Sequence, residues 1–77
     1  MVTTTQQVPL DSITQLGTIL REKRKGQGLT QGEVAAHCGL STRFVSEVER
    51  GKATAEIGKV LYLLKAVGVD LFAIPRS

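Results

Sequence analysis

A chain of 77 residues has room for one small domain with a single modest core. Its hydrophobic content of 42%, with two Phe, one Tyr and no Trp, suits a core of Leu, Ile, Val and Ala. Cys38 is the only cysteine, which excludes an intrachain disulfide and a cysteine-based zinc site. No apolar run approaches the roughly 20 residues of a membrane span and no signal-peptide pattern opens the chain, so a cytoplasmic protein with no membrane partner is expected. A net charge of +3 and a pI near 9.4 fit a polyanionic partner.

Residues 1–11 are expected to form a flexible arm, because Met1 to Gln7 is rich in Thr and Gln and carries neither charge nor periodicity. DNA-binding arms that enter the minor groove carry Arg or Lys, and this one has neither. Asp11 or Ser12 reads as the N-cap of a first helix running to about Lys25, with Ile13, Leu16 and Leu20 on one stripe. That stripe continues to Arg24. A cation on a partly buried face needs a partner, because an unpaired buried charge costs several kcal/mol. Glu49 is the best candidate; the alternative places Arg24 in a solvated basic run with Arg21, Lys23 and Lys25.

The stretch from Leu29 to Lys52 reads as two short helices separated by one glycine. Thr30 and Glu33 have capping-box spacing, so a helix should start at Gln31 and turn Val34, Ala35 and Cys38 inward. Gly39 ends it, Leu40 folds back, and Ser41 caps the next helix. There Val45 and Val48 face inward while Thr42, Arg43, Ser46 and Glu47 face out, and Gly51 stops the run. Two helices crossing steeply over a short turn need a small residue at closest approach, which Ala35 supplies. The pattern is that of a helix-turn-helix; an ordinary helical hairpin is the alternative. Gly26, Gly28 and Gly32 miss the spacing of a phosphate loop, and single His37 has no metal-ligand neighbours. No set of carboxylates, nucleophile with base, or metal ligands suggests an enzyme, a cofactor or a bound metal.

Thr54 is expected to cap a fourth helix with Glu56 in its first turn, Ile57, Val60, Leu61, Leu64 and Val67 as its core stripe, and Gly68 at its end. Tyr62 and Leu63 fall off that stripe, and such excess apolar surface points to a partner. Residues 69–77 form a tail in which Val69, Leu71 and Ala73 alternate with Asp70, Phe72 and Ile74, the pattern of a short strand. A strand with no mate in its own chain is expected to pair across a two-fold dimer; a tail packed as coil is the alternative.

The segment from Leu16 to Gly68, with LTQ opening the second helix, CGLS at the turn and VERGK closing the third, resembles the Cro/C1-type, phage-repressor-like helix-turn-helix class. With the tail VDLFAIPR it is similar, more narrowly, to the HipB-type antitoxins that pair with HipA-like kinase toxins. The resemblance implies an all-α, four- to five-helix lambda-repressor-like DNA-binding domain over residues 12–68, with a C-terminal strand joining two subunits. It implies a homodimeric, autoregulating transcriptional repressor on an inverted-repeat operator of duplex DNA, associated with the nucleoid, with a HipA-like kinase toxin as a second partner. It places Arg24 and Glu49 in a structural ion pair, and Gln31, Ser41 and Lys52 on phosphates. Base contacts are expected from Thr42, Arg43, Ser46 and Glu47 at the start of the recognition helix, with Arg43 reading guanine and Glu47 accepting from a cytosine N4. Leu63, Val69, Leu71, Phe72 and Ile74 are expected at the dimer interface. The class often has proline where this chain has Ala53. A stand-alone phage or cellular regulator and a protein-binding helical adaptor are the other readings.

Overall fold

The computed structural model describes residues 12–76, and the arm expected over residues 1–11 lies outside them. Four helices make up the regular structure of the described residues: α1 (Ile13–Gly26), α2 (Gln31–Cys38), α3 (Thr42–Glu49) and α4 (Ile57–Ala66). Helix α3 packs against both α1 and α2, and α2 also packs on α4. Their shared core comprises Leu16, Leu20, Val34, Ala35, Val45, Val48, Val60, Leu63, Leu64 and Val67.

Helix α1 turns Leu16, Gly17, Leu20 and Arg24 inward. A Cβ at Gly17 would run into the backbone carbonyl of Val48, so the hydrogen there sets how closely α1 approaches α3. Ser12 stands at the N-cap of α1 but makes no side-chain cap bond, and Asp11 lies outside the described residues. Helix α2 opens on a full capping box. Thr30 Oγ1 accepts from the Glu33 N–H at 3.0 Å, and Glu33 Oε1 accepts from the Thr30 N–H at 2.8 Å. Gly39 ends α2 in the left-handed region at φ 68°, which lets the Leu40 N–H reach back to the Ala35 carbonyl at 2.9 Å.

The structure corrects the expected start and phase of α4. A turn in which the Ala55 N–H donates to the Lys52 carbonyl occupies the place where Thr54 was expected to cap, and Glu56 becomes the N-cap. The buried stripe is Val60, Leu63, Leu64 and Val67, whereas Ile57 and Leu61 are exposed. Leu63, expected at a dimer interface, is fully buried inside the subunit's own core. The apolar positions of this helix cover a wider arc than the face it buries, so spacing alone leaves the phase open, and packing on α2 and the core settles it.

The tail forms no strand among the described residues. Instead the Val69 N–H donates to the Leu64 carbonyl at 2.9 Å, Val69 and Leu71 rest half-buried on the core, and Phe72 and Ile74 stand exposed. A strand ladder needs a second row of backbone groups, and within the subunit the helix end takes the first of them.

Candidate nucleic-acid interface

Helix α3 is anchored on one side and free on the other. Val45 and Val48 are fully buried, and Ser41 caps the helix with Oγ accepting from the Phe44 N–H at 3.0 Å. The opposite side carries exposed Thr42 and Arg43 and half-buried Ser46 and Glu47. The start of α2 lies beside it: a Cβ at Gly32 would stand 3.6 Å from Thr42 Oγ1, an ordinary contact. Two helix N-termini therefore open close together, each with unpaired backbone N–H groups and a partial positive charge. Gly51, at φ 83°, turns the chain back after α3, and a Cβ there would crowd Thr14 at the start of α1. Lys52 leaves that turn beside Glu47.

Charges on the free side are paired with one another. Arg43 Nε donates to Glu47 Oε2 at 3.2 Å and Lys52 Nζ donates to Glu47 Oε1 at 3.3 Å. The Lys52 hydrogen bond holds the Glu47 carboxyl below its ordinary range; partial burial opposes this and Arg43 adds to it.

Charges on the anchored side form a separate and drier set. Arg24 Nε and Nη2 donate to the two Glu49 oxygens at 2.7 and 2.9 Å, and Arg24 Nη1 donates to the Leu29 carbonyl at 2.7 Å. The Glu49 side chain is 2% exposed. Burial pushes its carboxyl up, but the hydrogen bonds from Arg24 and Gln31 outweigh this and leave it lowered; Glu49 raises Arg24 in turn. Gln31 Nε2 donates to Glu49 Oε1 at 3.0 Å, so the residue expected on a phosphate already spends one amide hydrogen on this network. That tie escaped the sequence reading. Its signal would have been a polar side chain at the first position of α2, within reach of a buried acid that arginine leaves with spare lone pairs.

Away from α3, two open clefts mark the surface. One of ≈ 330 Å³ lies between Leu29, Glu33, Val34, His37, Ala66 and Val67, and one of ≈ 230 Å³ lies under the tail against Leu61 and Lys65. Among the described residues no group of three or more His, Cys, Asp or Glu could hold a metal, and no helix is long and apolar enough to cross a membrane. Cys38 is half-buried on the core, where burial pushes its thiol up.

A family model described as a helix-turn-helix domain matches residues 15–72. The chain belongs to the helix-turn-helix domain family. A helix-turn-helix relative from Sinorhizobium fredii (strain NBRC 101917 / NGR234), the uncharacterized HTH-type transcriptional regulator y4mF, is 43% identical over 60 residues, covering 75% of this chain and 79% of its own. A second from the same strain, y4dJ, is named in the same way and is 34% identical over 55 residues, covering 71% of each chain. Among solved structures, a chain of a HipA-HipB-O2-O3 complex superimposes with a TM-score of 0.82, covering 92% of this chain and 100% of that one at 20% identity. A HipB-O1-O2 complex gives 0.80, covering 90% and 100%, also at 20% identity. At that identity the likeness is one of fold.

Proposed function

We propose that this helix-turn-helix protein is a sequence-specific DNA-binding transcriptional regulator, a repressor that acts as a homodimer on an inverted repeat. The observation that carries this reading is α3 itself, pinned through Val45 and Val48 and presenting Thr42, Arg43, Ser46 and Glu47 on its free side with Lys52 alongside. An α-helix fits the major groove, and residues at its N-terminal end reach base edges. Arg43 is the main reader, through guanine O6 and N7. Ser41 and Lys52 hold phosphates, and Gln31 contributes its second amide hydrogen to one. Two such helices about a two-fold axis would meet successive major-groove faces about 34 Å apart. The subunits join through the tail, with Val69 and Leu71 at its root and exposed Phe72 and Ile74 beyond. This is a binding protein and not an enzyme, working in the cytoplasm on nucleoid DNA.

The likeness in fold to HipB chains in complexes with HipA and with O2 and O3 supports a narrower reading, an autoregulating antitoxin that holds a HipA-like kinase. The names of the sequence relatives mention transcriptional regulation, which a stand-alone regulator fits equally. Binding to DNA from upstream of the protein's own gene, against scrambled DNA of equal length at low and physiological salt, tests the common part. Preference for the upstream DNA by about a thousandfold at physiological salt is expected. Equal binding that salt abolishes would defeat autoregulation, and no binding to any duplex would leave a protein-binding adaptor. Arg43→Ala should relax specificity, whereas Lys52→Ala should weaken all sequences and flatten the salt dependence. Co-purification of a kinase encoded beside the gene separates the antitoxin from the stand-alone regulator.

A further inference from the structure

One negative charge sits among the cations of the proposed DNA face. Glu47 uses both carboxylate oxygens there, Oε2 for Arg43 and Oε1 for Lys52. Its side chain is 19% exposed, against 87% for Arg43 and 48% for Lys52, so the acid lies deeper in the face than the cations it binds. The side-chain hydrogen bonds that tie α1 and α2 to α3 do not use it. Val45 and Val48 anchor α3, and the acid that ties the helices together is Glu49 on the other side.

A polyanion that approaches this face meets two cations that each already give one hydrogen bond to a carboxylate. If Arg43 and Lys52 leave for a guanine or a phosphate, the carboxylate is stranded beside the DNA backbone, where like charges repel and water is scarce. If they stay, the carboxylate cancels one of the two positive charges and the complex displaces fewer counterions. A base edge that donates an N–H takes the place of the departing cations, and in the major groove that donor is cytosine N4 or adenine N6.

We propose that Glu47 is a specificity-determining residue that holds Arg43 and Lys52 back from DNA of the wrong sequence and releases them where an amino group of cytosine or adenine replaces them on its carboxylate. The inference rests on the proposed DNA-binding reading and adds to it the means by which other sequences are refused. The exchange is one of hydrogen-bond donors, and the carboxylate stays ionised throughout.

Glu47→Gln tests it, because the amide keeps the shape and loses the charge. Binding of parent and variant to labelled scrambled duplex and to upstream DNA is followed by fluorescence anisotropy over a potassium chloride series. The variant should bind scrambled duplex about three- to tenfold more tightly near roughly 0.1 M salt, with a salt slope steeper by about one, and its preference for upstream DNA should fall. Removing any nearby negative charge would strengthen binding to some degree. The substitution is therefore repeated in a Lys52→Met background, where the gain should shrink by about half because one of the two held cations is gone. An unchanged affinity and slope for scrambled duplex, with both proteins bound, would overturn the inference and leave the DNA-binding reading standing. So would an undiminished gain in the Lys52→Met background. Failure of parent and variant alike to bind any duplex at low salt would overturn both.

Discussion

Gly17 is the position where the fold has least room. A methyl group there meets backbone and not a side chain that could swing aside, since the obstacle is the Val48 carbonyl on α3. Gly17→Ala is expected to cost about 3 kcal/mol or more in urea unfolding despite alanine's better helix propensity, because overpacking outweighs the propensity gain of about 1 kcal/mol. Nothing in the spacing marks this residue, which reads only as a poor helix former; the small side chain that did stand out in the pattern, Ala35, is buried in the core on α2. Arg24 was more legible, since a cation on an apolar stripe has to meet an acid, and it meets Glu49. Removing one partner of such a buried pair costs about 3 to 5 kcal/mol, so Glu49→Gln should leave a chain folded only marginally, if at all. The folded-state carboxyl of Glu49 lies below its ordinary 4.5. Its contribution is therefore complete above that value and is lost as pH falls through the lower folded value. Unfolding followed from neutral pH to below 4.5 should show a loss of stability on the acid side that is smaller in Glu49→Gln, provided the variant is held folded by a stabilising osmolyte.

At the scale of elements, spacing located the limits of α1, α2 and α3, the last two by side-chain caps that form. Thr30 with Glu33, and Ser41 with the Phe44 N–H, fix where α2 and α3 begin, and positive-φ glycines at 39 and 51 fix where the chain turns. Thr30→Ala should lower stability by about 1 kcal/mol in the same urea measurement, since it removes the acceptor for the Glu33 N–H and loosens the return bond as well. A loss near zero would mean that water serves the start of α2 equally well. Helix α4 was harder to read because it lacks a side-chain cap and its apolar residues spread wider than the face it buries. Its true phase depends on contact with α2, a long-range fact that local pattern does not carry. The tail illustrates the same limit: alternation describes which residues share a side, but whether they become a strand depends on what lies next to them.

For the whole molecule, the tail is the element on which the proposed dimer depends. Deleting residues 69–77 is expected to leave helical content by circular dichroism nearly unchanged while the sedimentation coefficient falls to that of a single subunit, because Val69 and Leu71 only flank the core. Persistence of a two-subunit species would move the interface to exposed Ile57, Leu61 and Tyr62 on α4. The root of this tail is held in place, since Gln27 Nε2 donates to the Val67 carbonyl at 2.8 Å and links the end of α1 to the end of α4. The two acids of α3 have a longer-term meaning. Glu49 points inward to the groups that lock three helices, and Glu47, two residues earlier and so on nearly the opposite side, points away from them. Scaffold and the proposed recognition surface thus share eight residues of one helix. On the proposed DNA-binding role, genes that inherit the inner positions are free to diverge at 42, 43, 46 and 47, and a genome with several copies of this domain gains regulators that ignore one another's sites without reinventing the fold.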